Sequence, residues 1–191
     1  MDAAALTSRF PATQDLAGKD MPTFRVAGSD LLAAVAYLRD TQGFDLLADL
    51  CGLELQARPA RFGVVIHLLS TTHKEYVRLH VDAVNDRVPS VSSLHPGANW
   101  HEREAFDMFG IVFEGHPDPR RILMWDGYPF HPLRKDFPLA GLAIAAIAAT
   151  GAGRHDSPVE LFKEIDGRIP GEGGKRGREG RKGERFGQLG M

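Results

Sequence analysis

The sequence contains one cysteine among its 191 residues, Cys51. A single thiol cannot form an internal disulfide, which fits a reducing compartment. It also falls far short of the roughly four thiolates that hold an iron–sulfur cluster. We therefore expect Cys51 to be a small buried residue of the core.

Long apolar segments are also missing. The longest apolar run covers residues 139–149, which is far shorter than the roughly 20 residues of a membrane-spanning helix. The N-terminus lacks the basic start and apolar stretch of a signal peptide. These features predict a soluble chain, or one that reaches a membrane only through partners.

Sequence motifs of common chemistries are missing as well. The sequence has neither a P-loop nor a Gly-x-Ser-x-Gly elbow, and Gly151-Ala152-Gly153 lacks the third glycine of a dinucleotide fingerprint. His101-Glu102 begins like a zinc-binding helix, but position 105 is alanine where the second histidine would stand. We therefore expect this chain to hold no catalytic residue, no cofactor and no metal ion. The alternative is a free-standing enzyme that uses His95, Asp107 and His116 as acid–base groups.

The net charge of −2 argues against a nucleic-acid partner for the whole chain. Basic residues concentrate in residues 170–191, where glycine alternates with charge, so this segment is predicted to be a disordered tail. An RNA-binding tail is the alternative, and it predicts salt-dependent affinity that is lost when residues 171–191 are deleted.

Hydrophobic periodicity predicts an α+β core domain over residues 23–110, with two layers and a mostly antiparallel or mixed sheet backed by helices. Residues 1–22 are predicted to be a flexible N-terminus, and residues 140–169 an Ala-rich and short helical segment. The elements expected in the core domain are a helix over 31–38 capped by Ser29 and strands over 24–26, 62–70, 76–84 and 88–94. The pattern of residues 44–55 fits either a helix or a strand, and it favours a strand with a break at Cys51-Gly52.

A second predicted helix covers residues 99–109. Asn99 stands at its start, and Glu102 three residues later completes the pattern of a capping box. Arg103 and Asp107 are four residues apart and are expected to form an ion pair along the helix.

Beyond Gly110, which is placed to end that helix, residues 111–139 are expected to form an extended arm. Proline stiffens such a segment, so it loses little entropy on docking, and arginine pairs well with carboxylates across an interface. We expect the arm to dock onto a partner protein. The basic residues expected to pair with acidic partner surfaces are Arg120, Arg121, Arg134 and Lys135, and the aromatic residues expected to fill partner pockets are Trp125, Tyr128, Phe130 and Phe137.

Three stretches of this region resemble the signature of a known family. They are Glu102-Arg103-Glu104-x-x-Asp107-Met108-Phe109-Gly110-Ile111, then Phe113-x-Gly115-His116-Pro117-Asp118-x-Arg120-Arg121-Ile122-Leu123, and then Pro132-Leu133-Arg134-Lys135-Asp136-Phe137-Pro138. The family is that of the thirty-kilodalton subunit of respiratory complex I, the C subunit of the bacterial NADH:quinone oxidoreductase. The resemblance covers about residues 25–140.

The resemblance implies a structural subunit without independent catalysis, in the peripheral arm of the complex on the cytoplasmic side of the inner membrane. The expected partners are the forty-nine-kilodalton-type quinone-site subunit and other peripheral-arm subunits. FMN and iron–sulfur clusters in those subunits pass electrons from NADH to quinone, coupled to proton translocation. The equivalent subunit of a related membrane-bound hydrogenase or dehydrogenase is the alternative. The residues expected to carry the family signature and docking are Glu102, Arg103, Glu104, Asp107, Gly110, His116, Pro117, Arg120, Arg121, Trp125, Arg134, Lys135, Asp136, Phe137 and Pro138.

Overall fold

The computed structural model describes residues 1–55 and 60–137. Its helices are α1 (Ala3–Arg9), α2 (Leu31–Asp40), which follows a 3-10 turn (Gly28–Asp30), and α3 (Ala98–Phe109). Its strands are β1 (Gln14–Asp15), β2 (Thr23–Arg25), β3 (Leu46–Glu54), β4 (Phe62–Ser70), β5 (Glu75–Asp82), β6 (Arg87–Pro89) and β7 (Val112–Glu114). None of the helices in this part of the chain is long and apolar enough to cross a membrane. The predictions for residues 140–169 and 170–191 lie outside the described residues.

The main sheet has five strands in the order β1-β2-β5-β4-β3. Strands β2 and β5 run parallel, whereas the other neighbouring pairs are antiparallel. A second sheet pairs β6 with β7 in parallel. The predicted fold class, a mixed sheet backed by helices, is confirmed.

Strand β5 shows how the sheet is divided into two faces. Its residues Val77, Leu79 and Val81 are buried, whereas the alternating Tyr76 is exposed. The buried side chains join those of β4 and of all three helices in one hydrophobic core. The helices therefore cover one face of the sheet.

Helix α3 packs closely against β3 because Gly52 of that strand has no side chain to keep the helix away. A Cβ atom at Gly52 would come within 2.7 Å of the Phe109 ring and 3.2 Å of Ile111. The helix then ends at Gly110, which adopts the left-handed conformation (φ +78°) and donates its N–H to the Phe106 carbonyl. The predicted helix end is therefore confirmed.

The predicted start of α3 is wrong. The helix begins at Ala98 with Gly97 as its N-cap, and no side chain caps it. Glu102 does not reach back to the first turn, because its buried carboxylate accepts hydrogen bonds from Ser90 and Val91. The same contact ends β6 after Pro89, so the strand predicted over 88–94 is much shorter.

Two further local expectations also differ from the structure. Ser29 does not cap α2, since it lies within the 3-10 turn and its hydroxyl contacts Asp30. Cys51 is exposed rather than buried, because it alternates with Leu50 and Gly52 and therefore points away from the core. The strand β3 is unbroken there, and its irregularity lies between residues 47 and 49.

Residues 1–22, expected to be flexible, contain α1 and β1. Leu6 and Phe10 lie four residues apart on one side of this segment, and both are buried in the core. The Phe10 ring packs edge-on against Tyr37 of α2, with 6.2 Å between the ring centroids. Leu6 and Phe10 thus anchor residues 1–22 to the core, although the composition of this segment predicted a flexible chain.

The contact at Gly52 generates a stability prediction. Gly52→Ala should destabilise the chain by about 1–3 kcal/mol, the usual cost of overpacking, because Phe109 must move away from β3. Urea unfolding of the full chain measures the effect. Gly97→Ala is the matched control, since no atom lies within 4 Å of the position that its methyl group would take, and it should change stability by no more than about 0.5 kcal/mol. Equal stabilities of the two variants would contradict the close packing of α3.

Candidate functional site

The carboxylate of Asp107 is the centre of the region that carries the family signature. Its Oδ2 accepts the backbone N–H groups of Ile122 (3.1 Å), Leu123 (2.8 Å) and Met124 (2.9 Å). Its Oδ1 pairs with the guanidinium of Arg121. The side chain is fully buried beneath this loop of the arm. One helical residue thus satisfies three consecutive amides and one cation of the arm.

The electrostatic balance at Asp107 favours its charged form. Burial alone would raise the pKa of the carboxyl group, but hydrogen bonds from the amides of Met124 and Leu123, from Arg121 and from the Ile122 amide outweigh it and lower the pKa below its usual value. The resulting stabilisation is complete above the unfolded-state pKa of about 3.9, and it is lost as the pH falls through the lower folded-state pKa.

Arg103 does not pair with Asp107, so the predicted ion pair along α3 is wrong. Its Nε donates to the carbonyl of Arg120 (2.9 Å) and its Nη2 to that of Arg121 (3.2 Å). The guanidinium also lies over the Trp100 ring, 5.1 Å from its centroid. Both residues bind groups of the arm instead of each other: Asp107 pairs with Arg121, and Arg103 donates to two arm carbonyls. Arg103 therefore holds the arm to the helix.

The arm also satisfies the last carbonyl groups of α3, which have no partner within the helix. The Asp107 carbonyl receives Nδ1–H of His131 (2.9 Å), and the Met108 carbonyl receives the N–H of Leu133 (3.1 Å). The Phe109 carbonyl receives Nε of Arg134 (2.6 Å). The arm therefore caps the helix that it packs on.

The end of the described arm is tied to the β3–β4 hairpin. The N–H of Lys135 donates to Glu54 (2.6 Å), and the Asp136 carboxylate pairs with Arg61 (2.9 Å). Arg61 also pairs with Glu54 (3.0 Å). These contacts hold residues 135 and 136 beside the last residue of β3.

The aromatic residues of the arm pack on one another. Successive ring centroids are 4.5 Å apart for Trp125 and Tyr128, 5.7 Å for Tyr128 and Phe130, and 6.2 Å for Phe130 and Phe137. Tyr128 and Phe130 are buried within the chain, and Phe137 is partly buried. Pockets of a partner are therefore not needed to cover Tyr128 and Phe130, contrary to our expectation, and among these four rings Trp125 is the exposed one.

The second buried carboxylate, Glu102, fixes the loop before α3. It accepts the hydroxyl of Ser90 (2.6 Å) and the N–H of Val91 (2.7 Å), and burial raises the pKa of its carboxyl group. The ring of His116 lies 3.8 Å away. Because Nδ1 of His116 accepts the N–H of Asp118 (2.9 Å), its hydrogen is on Nε2, close to the Asn99 carbonyl.

The acid–base alternative finds no support in these positions. Asp107 is saturated by the arm, and His116 is engaged with Asp118 and Asn99. The ring of His95 is buried near Arg39, and burial lowers its pKa. Within residues 1–55 and 60–137, no three His, Cys, Asp or Glu side chains are grouped so that they could hold a metal ion.

Helix α3 and the arm expose several large apolar side chains alongside charged ones. Among the described residues, half of the exposed large apolar side chains lie here: Trp100 (65%), Leu123 (55%), Trp125 (50%) and Leu133 (55%). We call this the α3–arm surface. Large apolar side chains that stay exposed are the raw material of interaction sites, and tryptophan is enriched in the energetic centres of such sites.

The signature residues fall into two groups. Glu104, Pro117, Arg120, Trp125 and Lys135 are exposed, and Arg120 pairs with Asp118 (2.7 Å). The others are buried or partly buried and act inside the chain: Glu102, Arg103, Asp107, Gly110, His116, Arg121, Arg134, Asp136 and Phe137. Pro138 lies outside the described residues. Sequence reasoning missed Ser90 and Trp100, and the only local signal was the placement of Trp100 one helical turn from Arg103.

The Asp107 contacts generate a prediction for the isolated chain. Asp107→Asn keeps the shape but removes the charge that Arg121 and the three amides require, which should cost about 3 kcal/mol. The amides of Ile122, Leu123 and Met124 should then exchange hydrogen at least about tenfold faster. Glu104→Gln is the control on the exposed side of the same helix, and it should leave their exchange unchanged. Unaltered exchange in the Asp107 variant would show that the carboxylate does not hold the arm.

Comparison with known sequences identifies the family. Residues 24–142 match the family described as respiratory-chain NADH dehydrogenase, 30 kDa subunit. The NADH-quinone oxidoreductase C subunit of Sinorhizobium medicae is 43% identical over 157 residues, which cover 79% of this chain and 78% of that protein. The corresponding protein of Phenylobacterium zucineum is 51% identical over 112 residues, which cover 58% of this chain and 54% of that protein.

Solved structures agree with the family assignment. A trypsin-resistant fragment of Nqo5 superimposes with a TM-score of 0.54 at 31% identity, covering 62% of this chain and 99% of the fragment. A chain of an archaeal membrane-bound sulfane sulfur reductase superimposes with a TM-score of 0.61 at 20% identity, covering 71% of this chain and 83% of that chain, and this likeness concerns the fold alone. The chain belongs to the family of the 30 kDa subunit of respiratory-chain NADH dehydrogenase.

Proposed function

We propose that this chain is the structural C subunit of an NADH-quinone oxidoreductase and that its α3–arm surface docks onto the forty-nine-kilodalton-type quinone-site subunit. Family membership supports the first part, since the relatives bear that name. One observation carries the second part. The exposed tryptophans and leucines of the α3–arm surface lie on α3 or on an arm that is bonded to α3. Asp107 holds residues 122–124 of the arm, and the Met108 carbonyl holds Leu133.

The proposed mechanism is positional. The arm lacks regular structure after β7, yet several of its amides and the guanidinium groups of Arg121 and Arg134 already have partners on α3 and β3. A segment ordered in advance loses little conformational entropy when a partner binds, so more of the contact free energy appears as affinity. Arg120, which pairs with Asp118, and Lys135 are both exposed on the arm and are suited to acidic groups of that partner. The subunit thereby holds the quinone site in its working geometry.

The chain takes no direct part in electron transfer in this proposal. FMN and iron–sulfur clusters in other peripheral-arm subunits carry electrons from NADH to quinone, and proton translocation is a property of the whole complex. The single cysteine supports this division of roles, because one thiol cannot ligate a cluster.

The proposed location is the cytoplasmic side of the inner membrane, where partner subunits hold the chain peripherally. A related membrane-bound hydrogenase or dehydrogenase complex is the second candidate, because the fold recurs in the sulfane sulfur reductase complex. The much higher identity to the C subunits of NADH-quinone oxidoreductases, 43% against 20%, favours the first candidate.

Affinity purification from native membranes tests the proposal. A tagged full-length chain should bring down flavin-bearing and cluster-bearing subunits together with NADH-quinone reductase activity. Recovery of the chain without such subunits would refute it, and recovery with a hydrogenase subunit in place of the flavin subunit would favour the second candidate.

The same purification carries a prediction for Arg103. Arg103→Ala removes both hydrogen bonds to the arm carbonyls and the contact with Trp100. It should therefore lower the amount of assembled complex severalfold while the KM for quinone of the remaining complex stays unchanged. Arg87→Ala is the control, since within the described residues the Arg87 side chain forms only an exposed ion pair with Glu114 (3.4 Å), whose loss costs little. Normal assembly with an altered KM for quinone would contradict the positional role.

A further inference from the structure

Strand β3 is the outermost strand of the main sheet. It pairs with β4 on one side, and within the described residues no strand pairs with its other side. The irregularity between residues 47 and 49 bends only its beginning, and residues 49–54 pair with β4 in unbroken register. One edge of this segment therefore presents backbone N–H and C=O groups in the spacing that another strand would match.

This edge is only partly protected against strand addition. An irregularity lies at its beginning, Asp49 is charged, and the arm contacts its last residue, Glu54. Free edges of natural sheets are kept short or carry lysine, proline or a covering element. Strand β3 is nine residues long, and its sequence LLADLCGLE has no lysine, arginine or proline. Leu46, Ala48 and Cys51 are exposed along it. Such an edge is a binding surface for an extended peptide or a site of aggregation.

A small cleft lies beside this edge, between β3 and α3. Its volume is about 150 Å³, and the apolar side chains around it include Leu50, Met108, Phe109 and Leu133. A cavity of that volume accepts a group the size of a benzene ring. The cleft can therefore receive one leucine, methionine or phenylalanine side chain from a strand laid along β3.

The charges around the edge are acidic. Asp49 lies on β3, and Glu104 lies on the rim of the cleft. Although Cys51 is exposed, the protein around it partly desolvates its thiol and raises the pKa, and the nearby carboxylates of Asp49 and Glu104 raise the pKa further. His101 approaches Asp49 at 3.5 Å. Glu104 has no ion-pair partner among the described residues, so it is available to a basic side chain from outside.

We propose that residues 49–54 of β3 accept an extended segment of another subunit as a sixth strand of the sheet. That segment places an apolar side chain in the cleft and a lysine or arginine beside Asp49 and Glu104. The inference rests on the proposed function in one respect, namely that the segment belongs to a subunit of the same complex.

Other occupants fit the charges and the composition less well. A second copy of β3 would bring Asp49 and Glu54 against the same acidic residues, and like charges facing each other destabilise a strand pair. Within residues 138–191 of this chain, the apolar run 139–149 carries no charge, and glycine, which is depleted in strands, is frequent from residue 170 onward. Residues 159–168 combine apolar and basic side chains, but Lys163 stands between Glu160 and Glu164. These acidic side chains would face the acidic residues of the edge, and like charges facing each other destabilise a strand pair.

Photo-cross-linking in the assembled complex tests the proposal. A benzophenone amino acid is incorporated at position 51 of the tagged full-length chain, and at position 84 as a control at an exposed site just after the end of β5. After irradiation, position 51 should be joined to a peptide of another subunit that contains both apolar and basic residues. A cross-link to a second copy, to residues 138–191 of the same chain or to no protein would overturn the inference.

A measurement on the unsubstituted chain guards against a variant that fails to assemble. Cys51 is the only cysteine of the chain, so its alkylation by N-ethylmaleimide can be followed by mass spectrometry of one peptide. In the complex its alkylation should be at least about tenfold slower than in the isolated chain. Equal alkylation rates in the complex and in the isolated chain would overturn the inference. If the flavin subunit still co-purifies with the chain, the proposed function is unaffected by that result. A chain that recovers no other subunit would refute both.

Discussion

The buried carboxylate of Asp107 determines the path of the chain after α3. It binds the guanidinium of Arg121 and accepts hydrogen bonds from the next three backbone amides, which holds this part of the chain against the side of the helix. A neutral side chain of the same size could satisfy at most part of this set. The irregular arm is thus as constrained as a strand, although it belongs to no sheet after β7. Exposed Leu123 lies within the segment that Asp107 holds, and exposed Trp125 follows that segment directly.

The helix and the arm stabilise each other in a reciprocal way. Helix α3 offers the arm a buried anion and three unpaired carbonyls, and the arm supplies the donors that those groups need. Leaving a buried polar group of this kind without a partner costs about 1–3 kcal/mol. Loss of the arm would leave several such groups of α3 exposed or unpaired at once. We therefore expect the arm and α3 to behave as one unit, and the α3–arm surface to exist before any partner binds.

Much of the main sheet could be predicted because the pattern of apolar and polar residues within each short segment indicates which side chains are buried. The alternation in β5, the continuous apolar run of β4 and the glycine at the end of α3 each follow from a short-range period or a backbone requirement. The errors involve contacts between residues distant in sequence. Glu102 matches the pattern of a capping box, but its carboxylate accepts hydrogen bonds from Ser90 and Val91 instead. Arg103 donates to carbonyl groups 17 and 18 residues away rather than pairing with Asp107.

The same reason explains what sequence reasoning missed in the docking surface. It assigned all basic and aromatic residues of the arm to a partner, because composition alone does not show that Arg121, Tyr128 and Phe130 are used within the chain. The corrected surface is smaller and is centred on Trp100, Leu123 and Trp125. The exposed edge of β3 likewise became visible only once the strand order was known.

A cryo-electron-microscopy reconstruction of the complex purified from native membranes tests the central claim most directly. We expect Trp100, Leu123 and Trp125 to be covered by the quinone-site subunit while the contacts between Asp107 and the arm remain intact. A reconstruction in which these three side chains face solvent, or in which the arm leaves α3 to reach its partner, would contradict the positional role of the arm.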